Sequence, residues 1–337
     1  MTRLLRLYTG NLVYGELPRG CRLCLRGFKT VVFITGLCPR DCFYCPLSRE
    51  KKGKDIILAN ERQVDRLIEI ASECLSSGSR GVGLTGGDPM MRLERSIDTI
   101  KLLKDFFGDS FHVHMYTTGL TLKPEYISRL ERAGLDELRL HPPNVFIPRL
   151  LSRLSKIDTN IDIGFELPVF PDKAEETLSI IRLLDEYATI SFVNLNELEF
   201  SDSNSLSLKK KGYSLSRDWK TAKGSREAGE YILRVVEEEK PELSIHFCPA
   251  SAKDRYQTGL RYYRRGILTA KPHELVSDEG LLLKALVSET CVNVPSLMEF
   301  RGAYGKETHL VLAETLGLEY RVIEETPEYR RVLLNIT

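Results

Sequence analysis

The stretch Cys38-Pro39-Arg40-Asp41-Cys42-Phe43-Tyr44-Cys45 places three cysteines in one short loop with a C-x3-C-x2-C spacing. Three thiolates this close together can hold three irons of a cubic four-iron cluster, which leaves the fourth iron without a protein ligand. An open metal position is typical of a catalytic site, because a substrate or cofactor can coordinate there. A zinc site would need a fourth Cys or His at similar spacing, and none lies near.

A second motif, Thr85-Gly86-Gly87-Asp88-Pro89, follows the cysteine loop by about one βα unit. Together the two motifs resemble the radical S-adenosylmethionine (radical SAM) superfamily, whose signature is C-x3-C-x-aromatic-C followed by Gly-Gly-Glu-Pro. Here Asp88 stands in place of the glutamate. The resemblance implies a [4Fe–4S] cluster on Cys38, Cys42 and Cys45, with S-adenosylmethionine bound at the open iron.

Within that superfamily the run Arg19-Gly20-Cys21-Arg22-Leu23-Cys24 is similar to an archaeal-type branch. This branch is related to the glycyl-radical-enzyme (pyruvate formate-lyase) activating enzymes. That closer resemblance would imply a polypeptide as the substrate.

The composition fits a globular protein, since 42% of the 337 residues are hydrophobic and can form a large core. The start of the chain has no apolar run long enough for a signal peptide or a membrane span, so we expect a cytoplasmic location. Eight cysteines in a reducing compartment indicate metal or redox chemistry rather than disulfides. The net charge of +1 does not by itself indicate a nucleic-acid-binding protein.

An alternation of strands and helices runs from about residue 30 to about residue 250. The predicted strands cover 30–35, 81–85, 111–117, 136–141, 161–169 and 190–197. The predicted helices cover 60–77, with Asn60 as the N-cap, 92–107, 124–133, 145–154 and 174–187. Strands separated by helices indicate parallel βαβ units, and the resemblance implies an α/β fold, a partial (β/α)6 TIM-like barrel.

We predict three regions along the chain. An N-terminal segment, residues 1–27, carries the C-x2-C pair, and the barrel covers residues 28–242. A C-terminal α+β extension, residues 243–337, could carry an auxiliary metal and contact the substrate. In parallel barrels the chemistry lies on the loops that follow the strands, so polar residues at strand ends are the candidates for the site.

The resemblance assigns cofactor contacts to residues of these loops and strand ends: Tyr44, Gly86, Gly87, Asp88, Thr117, Glu166, Asn194 and Asn196. Tyr44 would lie against the adenine, and a carbonyl at Gly86 or Gly87 would accept from the ammonium group. Glu166 would accept from the ribose hydroxyls. Alternatively, Tyr44 packs beneath the loop, the glycines form a tight turn, and the asparagines are hydrogen-bonded at the barrel rim. His141 is either structural or catalytic.

A second metal site is predicted from Cys21, Cys24 and Cys248. The three cysteines could hold another iron–sulfur cluster, or His246 could complete a zinc site with them. Alternate residues of one strand face the same way, so His246 and Cys248 could reach the same ion.

Two further segments are rich in basic residues. Residues 201–225 are predicted to form a long exposed loop, either a flexible insertion or a lid over the substrate. Residues 253–265 mix lysine and arginine with tyrosine in a helix-like run, a composition that can hold phosphates and stack bases of RNA. The alternative is a solvated helix face whose tyrosines bury their ring bodies.

The function implied by the resemblance is radical chemistry. One electron, from a donor such as ferredoxin or flavodoxin, would cleave S-adenosylmethionine to a 5′-deoxyadenosyl radical, which would abstract hydrogen from a polypeptide or an RNA. The alternative function is a non-catalytic iron–sulfur protein that transfers electrons or senses redox state.

Overall fold

The computed structural model describes residues 3–272, 274–287 and 320–336. Eleven strands form its main sheet, in the order β1-β2-β11-β10-β9-β8-β7-β6-β3-β4-β5. They are β1 (Leu5–Arg6), β2 (Leu12–Tyr14), β3 (Lys29–Thr35), β4 (Leu58–Ala59), β5 (Arg62–Gln63), β6 (Gly81–Gly86), β7 (His112–Thr117), β8 (Glu137–Leu140), β9 (Asp162–Val169), β10 (Phe192–Glu197) and β11 (Ser244–Cys248).

The seven central strands, from β3 through β6 to β11, are parallel and lie side by side in chain order. Right-handed crossovers that always advance in one direction place every helix on the same face of the sheet. The sheet then curls around its other face, as in a barrel, instead of carrying helices on both faces. The predicted partial (β/α)6 TIM-like barrel is confirmed, and β11 adds a parallel strand to it.

Ten α-helices lie in the described part of the chain. They are α1 (Arg19–Cys24), α2 (Ile68–Ser76), α3 (Leu93–Phe107), α4 (Pro124–Ala133), α5 (Ile147–Leu154), α6 (Ala174–Asp185), α7 (Ser205–Lys210), α8 (Ser225–Glu239), α9 (Ala250–Ala252) and α10 (Gly259–Thr269). The sequence explains α4 well: Pro124 occupies its first turn, Ile127 and Leu130 share its buried side, and Gly134 ends it at a φ of 96°. None of the described helices is both long and apolar enough to cross a membrane.

The hydrophobic core lies between the sheet and these helices. Strand residues such as Met115, Leu138 and Ile163 are buried there and pair in register from strand to strand. Because side chains alternate along a strand, the residues between them face the inside of the barrel. These inner residues are polar, as Tyr116 paired with Arg139 illustrates. The inside of the barrel is therefore lined by polar groups that could contact a ligand, and the apolar core packs on the outer face of the sheet.

Two predicted elements are wrong in detail. The helix predicted over 60–77 begins only at Ile68, and residues before it form the β4–β5 hairpin. Asn60 does not cap the helix but lies in the hairpin turn with a φ of 52°, a conformation that asparagine tolerates better than most residues. The exposed loop predicted over 201–225 instead contains α7 and takes part in two isolated β-bridges, Thr221 with Glu199 and Ala222 with Leu215.

The sheet also extends beyond the barrel boundaries predicted at 28 and 242. Strands β1 and β2 join it from the N-terminal segment, and β11 lies next to β10. The C-terminal extension contains a separate antiparallel sheet. Its strands are β12 (Leu275–Val276), β13 (Leu282–Val287), β14 (Tyr320–Glu325) and β15 (Leu333–Ile336).

A strap, residues 249–269, links the two outer parallel strands of the barrel. It leaves the end of β11 through α9, continues through a π-helical stretch, Lys253–Thr258, and ends with α10. Its arginines anchor it beside β3: Arg261 is 2.5 Å from Glu61 Oε1, and Arg264 stacks 3.7 Å above the Phe28 ring. The strap thus crosses the side on which the parallel sheet stays open.

Most of the basic residues of the strap form ion pairs with carboxylates of the barrel. Arg265 pairs with Glu73 at 3.2 Å, and Lys253 pairs with Glu199 at 2.7 Å. Cations that already face buried carboxylates are not free to hold phosphates. This arrangement does not favour the RNA-binding interpretation of residues 253–265.

Candidate active site

The three signature cysteines lie in the loop that follows β3. At the start of this loop, the Gly36 N–H donates to the Lys54 carbonyl at 2.7 Å. This hydrogen bond joins the two ends of the segment 36–54. A turn between Cys42 and Cys45, with an N–O distance of 3.0 Å, brings the last two cysteines together. Cys38 is exposed, while Cys42 and Cys45 are half-buried, and none of them forms a disulfide. Partial burial raises the pKa of Cys38, so a metal would displace its proton on binding.

The Gly86-Gly87 turn packs directly against this loop. Gly87 donates to the Thr35 carbonyl at 2.8 Å, and Asp88 donates to the Leu37 carbonyl at 2.7 Å. A Cβ on Gly87 would lie 2.3 Å from the Leu37 oxygen, and one on Gly86, at a φ of 140°, would lie 2.2 Å from the Thr35 oxygen. Both positions therefore require glycine, and the two sequence motifs form one backbone unit.

Asp88 is completely buried and ties the ends of two strands together. Its Oδ1 accepts from the Met90 N–H at 3.0 Å, and its Oδ2 accepts from the Thr118 N–H and hydroxyl at 3.0 and 2.6 Å. Next to it, the Thr117 hydroxyl accepts from the Gly119 N–H at 3.1 Å. The structure thus gives the Asp88 carboxylate and the Thr117 hydroxyl partners within the protein, and their predicted contacts with the cofactor stay predictions.

A hydrogen-bonded chain connects the cysteine loop to the fourth and fifth barrel strands. His141 Nδ1 lies 2.6 Å from the Glu166 carbonyl, which can only accept, so Nδ1 carries the proton. His141 Nε2 then accepts from the Tyr44 hydroxyl at 2.8 Å. Burial lowers the pKa of His141 and keeps it neutral, and burial raises the pKa of Tyr44 and keeps its proton in place. Arg40 completes the group by donating to the His141 carbonyl at 2.8 Å.

A cavity of about 230 Å³ opens beside Tyr44. The rings of Phe43 and Phe170 stack there with centroids 5.7 Å apart, and Tyr44 meets Phe170 edge-on at 5.3 Å. Leu167 and other apolar residues of the β9 end and α6 form the remaining walls. Flat aromatic walls with a few polar groups at the edge suit a planar ring such as a purine.

Glu166 lies inside the barrel with three N–H donors around its carboxylate. Asn194 and Arg139 donate to Oε1 at 2.7 and 2.9 Å, and Asn196 donates to Oε2 at 2.6 Å. The predicted group of Glu166, Asn194 and Asn196 is therefore brought together. A carboxylate can accept about four hydrogen bonds, so one acceptor position of Glu166 stays open to a ligand hydroxyl.

Arg139 organises the charges deeper in the barrel. It donates to Glu137 Oε2 at 2.7 Å and lies 3.4 Å from the Cys21 sulfur. Although burial acts in the opposite direction, Arg139 and His112 hold the pKa of Glu137 below its usual value. On the other side of His112, burial lowers the pKa of Lys29 to about 7, and the Lys29 amine lies 2.8 Å from His112 Nδ1.

The sequence analysis missed both Arg139 and Lys29 as interior residues. The charge of Arg139 in the middle of the short strand Glu137-Leu138-Arg139-Leu140 could have indicated that this residue faces the polar interior. In the β3 sequence, which reads Lys-Thr-Val-Val-Phe-Ile-Thr, Lys29 looks like the exposed start of a strand. Its burial depends on α1, whose Gly20 approaches Glu137 from the same end.

The residues of the predicted second metal site have separate partners. The Cys21 thiol donates to Asn194 Oδ1 at 3.7 Å, and the Cys248 sulfur accepts from Gln257 at 3.8 Å. Burial raises the pKa of Cys248 to about 11. Within the described ranges, no three His, Cys, Asp or Glu side chains converge as they would around one ion, and this holds for Cys38, Cys42 and Cys45 as well. A metal held by Cys21, Cys24 and Cys248 stays a prediction.

His246, the alternative zinc ligand, is engaged at both ring nitrogens. Nδ1 lies 3.0 Å from Asn194 Oδ1, and Nε2 lies 2.8 Å from the Asn11 amide nitrogen. Burial lowers its pKa to about 3, so the ring is neutral. With one nitrogen donating and the other accepting, His246 supports Asn194 and, through it, the Glu166 carboxylate.

Residues 201–225 fold over the cysteine loop. The Asn204 amide donates to the Tyr44 carbonyl at 2.9 Å, and the Ser203 hydroxyl donates to the Cys45 carbonyl at 3.2 Å. A small apolar cluster forms at this contact from Leu198, Leu208 and Ala222, with Phe43, Tyr44, Phe170, Phe200 and Tyr213 packed against it. The loop that carries the cysteines is therefore braced from outside the barrel.

The sequence model of the radical SAM superfamily matches residues 32–143. A Methanocaldococcus jannaschii protein, provisionally named as a glycyl-radical enzyme activating enzyme, is 39% identical over 283 residues, which cover 81% of this chain and 74% of that protein. The chain belongs to the radical SAM superfamily. A radical SAM protein of this kind uses a [4Fe–4S] cluster and S-adenosylmethionine.

Other known proteins match shorter parts of the chain. A Thermococcus kodakarensis protein, provisionally named as a GTP 3′,8-cyclase, is 32% identical over 134 residues, which cover 39% of this chain and 38% of that protein. The solved structure of Streptococcus suis SuiB covers 66% of this chain and 49% of its own, with a TM-score of 0.45 and 11% identity.

The residues present fit the cluster and cofactor of the superfamily. Three thiols lie in one loop at the carboxyl end of β3, and no Cys or His that could close a fourth position lies near them in sequence. Beside them, the Gly86-Gly87 backbone carries no side chains that would shield its carbonyls. The aromatic cavity is lined by Phe43 and Tyr44 of the same loop.

Proposed function

We propose that this chain is a radical SAM enzyme that abstracts hydrogen from a polypeptide. Cys38, Cys42 and Cys45 would hold the [4Fe–4S] cluster. When bound, the cluster and S-adenosylmethionine supply one-electron cleavage of a C–S bond, which yields methionine and a 5′-deoxyadenosyl radical. The proposal is carried by the union of the cysteine loop with the Gly-Gly turn, through the hydrogen bonds of Gly87 and Asp88.

The protein's own groups would bind and orient the cofactor. The rings of Phe43, Tyr44 and Phe170 would hold the adenine in their cavity. A carbonyl of the Gly86-Gly87 turn would accept from the ammonium group, and the open position of Glu166 would accept from a ribose hydroxyl. The closed loop and the braces from residues 201–225 would keep water from the reacting carbon.

A polypeptide is the preferred substrate for two reasons. The 39% identical relative is named for the activation of glycyl-radical enzymes, which are polypeptides. The segment that suggested RNA, residues 253–265, has most of its cations in ion pairs, as with Arg261 and Glu61. Paired cations contribute little to phosphate binding, which depends on free charge.

Cofactor cleavage can be tested with Cys42→Ala and the matched control Cys74→Ala, which removes a buried thiol in α2. Both proteins are reconstituted without oxygen and given dithionite and S-adenosylmethionine, and 5′-deoxyadenosine is measured. We expect product from the control and none from Cys42→Ala. Product from both variants, or an intact cofactor with the wild-type protein, would contradict the proposal, and an intact cofactor would favour the electron-transfer or sensing alternative.

The substrate class can be tested by isotope transfer. The enzyme is incubated with perdeuterated cellular protein, or with perdeuterated RNA from the same culture, and the 5′-deoxyadenosine is analysed by mass spectrometry. We expect deuterium in the product with the protein fraction alone. Deuterium that comes only from RNA would replace the polypeptide proposal with an RNA proposal.

A further inference from the structure

Two basic loops flank the signature cysteines. Residues 46–54 follow Cys45 directly. Residues 201–225 pack on the cysteine loop through Ser203 and Asn204. Lys52 of the first loop reaches Asp41 at 2.5 Å. Lys211 of the second lies 5.6 Å from the centre of the Phe43 ring. Both loops therefore contact the stretch between Cys38 and Cys45.

These loops hold an excess of positive charge. Together they contain ten lysine and arginine residues and three acidic residues, a net charge of +7. Because the whole chain carries only +1, the rest of it has a net charge of −6. The excess of positive charge thus lies in two segments that contact the cysteine loop.

Most of these cations form no ion pair with the part of the chain that the structure describes. Lys52 and Lys220 are in ion pairs. The other eight form no ion pair with the described residues; they are Arg49, Lys51, Lys54, Lys209, Lys210, Lys211, Arg217 and Lys223. We call these eight residues the basic collar. Mostly exposed cations without an ion-pair partner are available to a binding partner, unlike the anchored arginines of the strap.

We propose that the basic collar is the docking surface for an acidic electron-carrier protein. The inference rests on the proposed function, because the electron is required only if the cysteines hold the cluster. One electron would leave the carrier, which becomes oxidised by one, and enter the group held by Cys38, Cys42 and Cys45, which becomes reduced by one. The exposure of Cys38 leaves the cysteine loop within reach of a bound carrier.

An acidic protein fits the collar better than RNA does. Charge complementarity steers association and raises its rate, which suits a transient carrier. RNA that is bound as single strands also needs a row of exposed rings for its bases. Of the two aromatic rings in these loops, Tyr213 packs in the apolar cluster, and only Trp219, 83% exposed, is open to a partner.

The test compares a collar variant with a control of equal charge change. Arg49→Glu, Lys209→Glu and Lys210→Glu are combined in the collar variant, which leaves Lys211 and its contact with Phe43 unchanged. The control combines Lys101→Glu, Lys156→Glu and Arg234→Glu, which are exposed and lie away from the cysteine loop in α3, after α5 and in α8. Plant-type ferredoxin serves as the acidic probe, and its binding and its rate of cluster reduction are measured from 20 to 300 mM salt.

We expect the collar variant to bind ferredoxin at least tenfold more weakly at low salt and to lose most of the salt dependence of the reduction rate. The control and the wild-type protein should agree within about twofold. Reduction by dithionite, which needs no docking, should be the same in all three proteins. Equal ferredoxin binding by the collar variant and the control would overturn the inference.

Two other outcomes would lead to different conclusions. If dithionite produces no 5′-deoxyadenosine with the wild-type protein, the proposed function fails, whatever ferredoxin does. If ferredoxin binding is unchanged but bulk transfer RNA binds with a steep salt slope that only the collar variant loses, the collar binds RNA and the electron-carrier inference is overturned.

Discussion

Tyr44 donates its hydroxyl to Nε2 of His141 over 2.8 Å, and the Glu166 carbonyl fixes the direction of that bond by accepting from His141 Nδ1. The aromatic residue of the cysteine motif is thereby connected to the strands β8 and β9. The sequence analysis assigned Tyr44 to the adenine or to packing beneath the loop, and the structure adds that two other strand ends orient it. The position of the ring, and so the shape of the cavity beside it, depends on this hydrogen bond.

Replacing Tyr44 with Phe should weaken cofactor binding without removing the cluster. The ring stays, but its hydrogen bond is lost and His141 Nε2 is left buried without a donor, a loss of about 1 kcal/mol. We expect the Kd for S-adenosylmethionine to rise about three- to tenfold, with iron content unchanged. The control is Tyr231→Phe, which removes a 2.8 Å bond to Glu175 between two outer helices. Equal affinities for the two variants would show that the Tyr44 bond does not shape the site.

Replacing Gly87 with Ala should disturb the cysteine loop. The new Cβ would lie 2.3 Å from the Leu37 carbonyl and 2.7 Å from that of Gly36, and backbone atoms cannot turn away as a side chain can. We expect the iron bound after reconstitution to fall by at least half and the free energy of unfolding to fall by about 1–3 kcal/mol. Gly259→Ala is the control, because its Cβ would meet only one atom, at 3.7 Å. Full iron content in Gly87→Ala would contradict the close approach.

Replacing Asp88 with Asn should destabilise the fold. The amide would turn a donor toward groups that now donate to a carboxylate oxygen, such as the Thr118 N–H. An unsatisfied buried pair of this kind costs about 1–3 kcal/mol. Urea unfolding at neutral pH measures the loss, and Asp105→Asn on the exposed side of α3 is the control. A loss no larger than that of Asp105→Asn would show that Asp88 does not join β6 to β7.

The sequence predicted the strands and helices of the barrel units well because their patterns are local, and the resemblance to the superfamily implied the partial barrel. The resemblance also assigned Glu166, Asn194 and Asn196 to the site, and the parallel pairing of β9 with β10 brings them together. It could not predict that Asn204 braces the cysteine loop, because this contact joins residues 160 apart in the chain. The helix expected at Asn60 failed for a similar reason: hairpin pairing with β3 outweighed helical periodicity.

Acid should destabilise the protein through His114. This residue is buried, and burial lowers its pKa well below 6.5. In the unfolded chain the imidazole binds a proton as the pH falls below about 6.5, while the folded state resists it. The unfolded state then binds more protons, so stability is complete above pH 6.5 and is lost below it.

This loss should reach about 2 kcal/mol at pH 5, since each pH unit corresponds to about 1.4 kcal/mol. Urea unfolding at pH 7 and pH 5 measures it. His114→Leu removes the titrating group and should show a pH dependence that is smaller by a similar amount. If His114→Leu and the wild-type protein lose equal stability between the two pH values, His114 is protonated equally in both states.

The ion pair of Arg261 and Glu61 gives an asymmetric prediction for the strap. The Arg261 side chain is 7% exposed, whereas that of Glu61 is 35% exposed. Glu61→Gln leaves a buried guanidinium without its counter-charge and should cost about 2–4 kcal/mol, because a charge is then left desolvated. Arg261→Met leaves a carboxylate that can reach water, and its apolar chain can keep the packing of the arginine stem, so it should cost about 1 kcal/mol or less. Urea unfolding ranks the two variants, and faster hydrogen exchange in residues 253–269 of Glu61→Gln would place the loss in the strap. The reverse ranking would mean that water already reaches Arg261 and that its pairing does not hold the strap across the open side of the barrel.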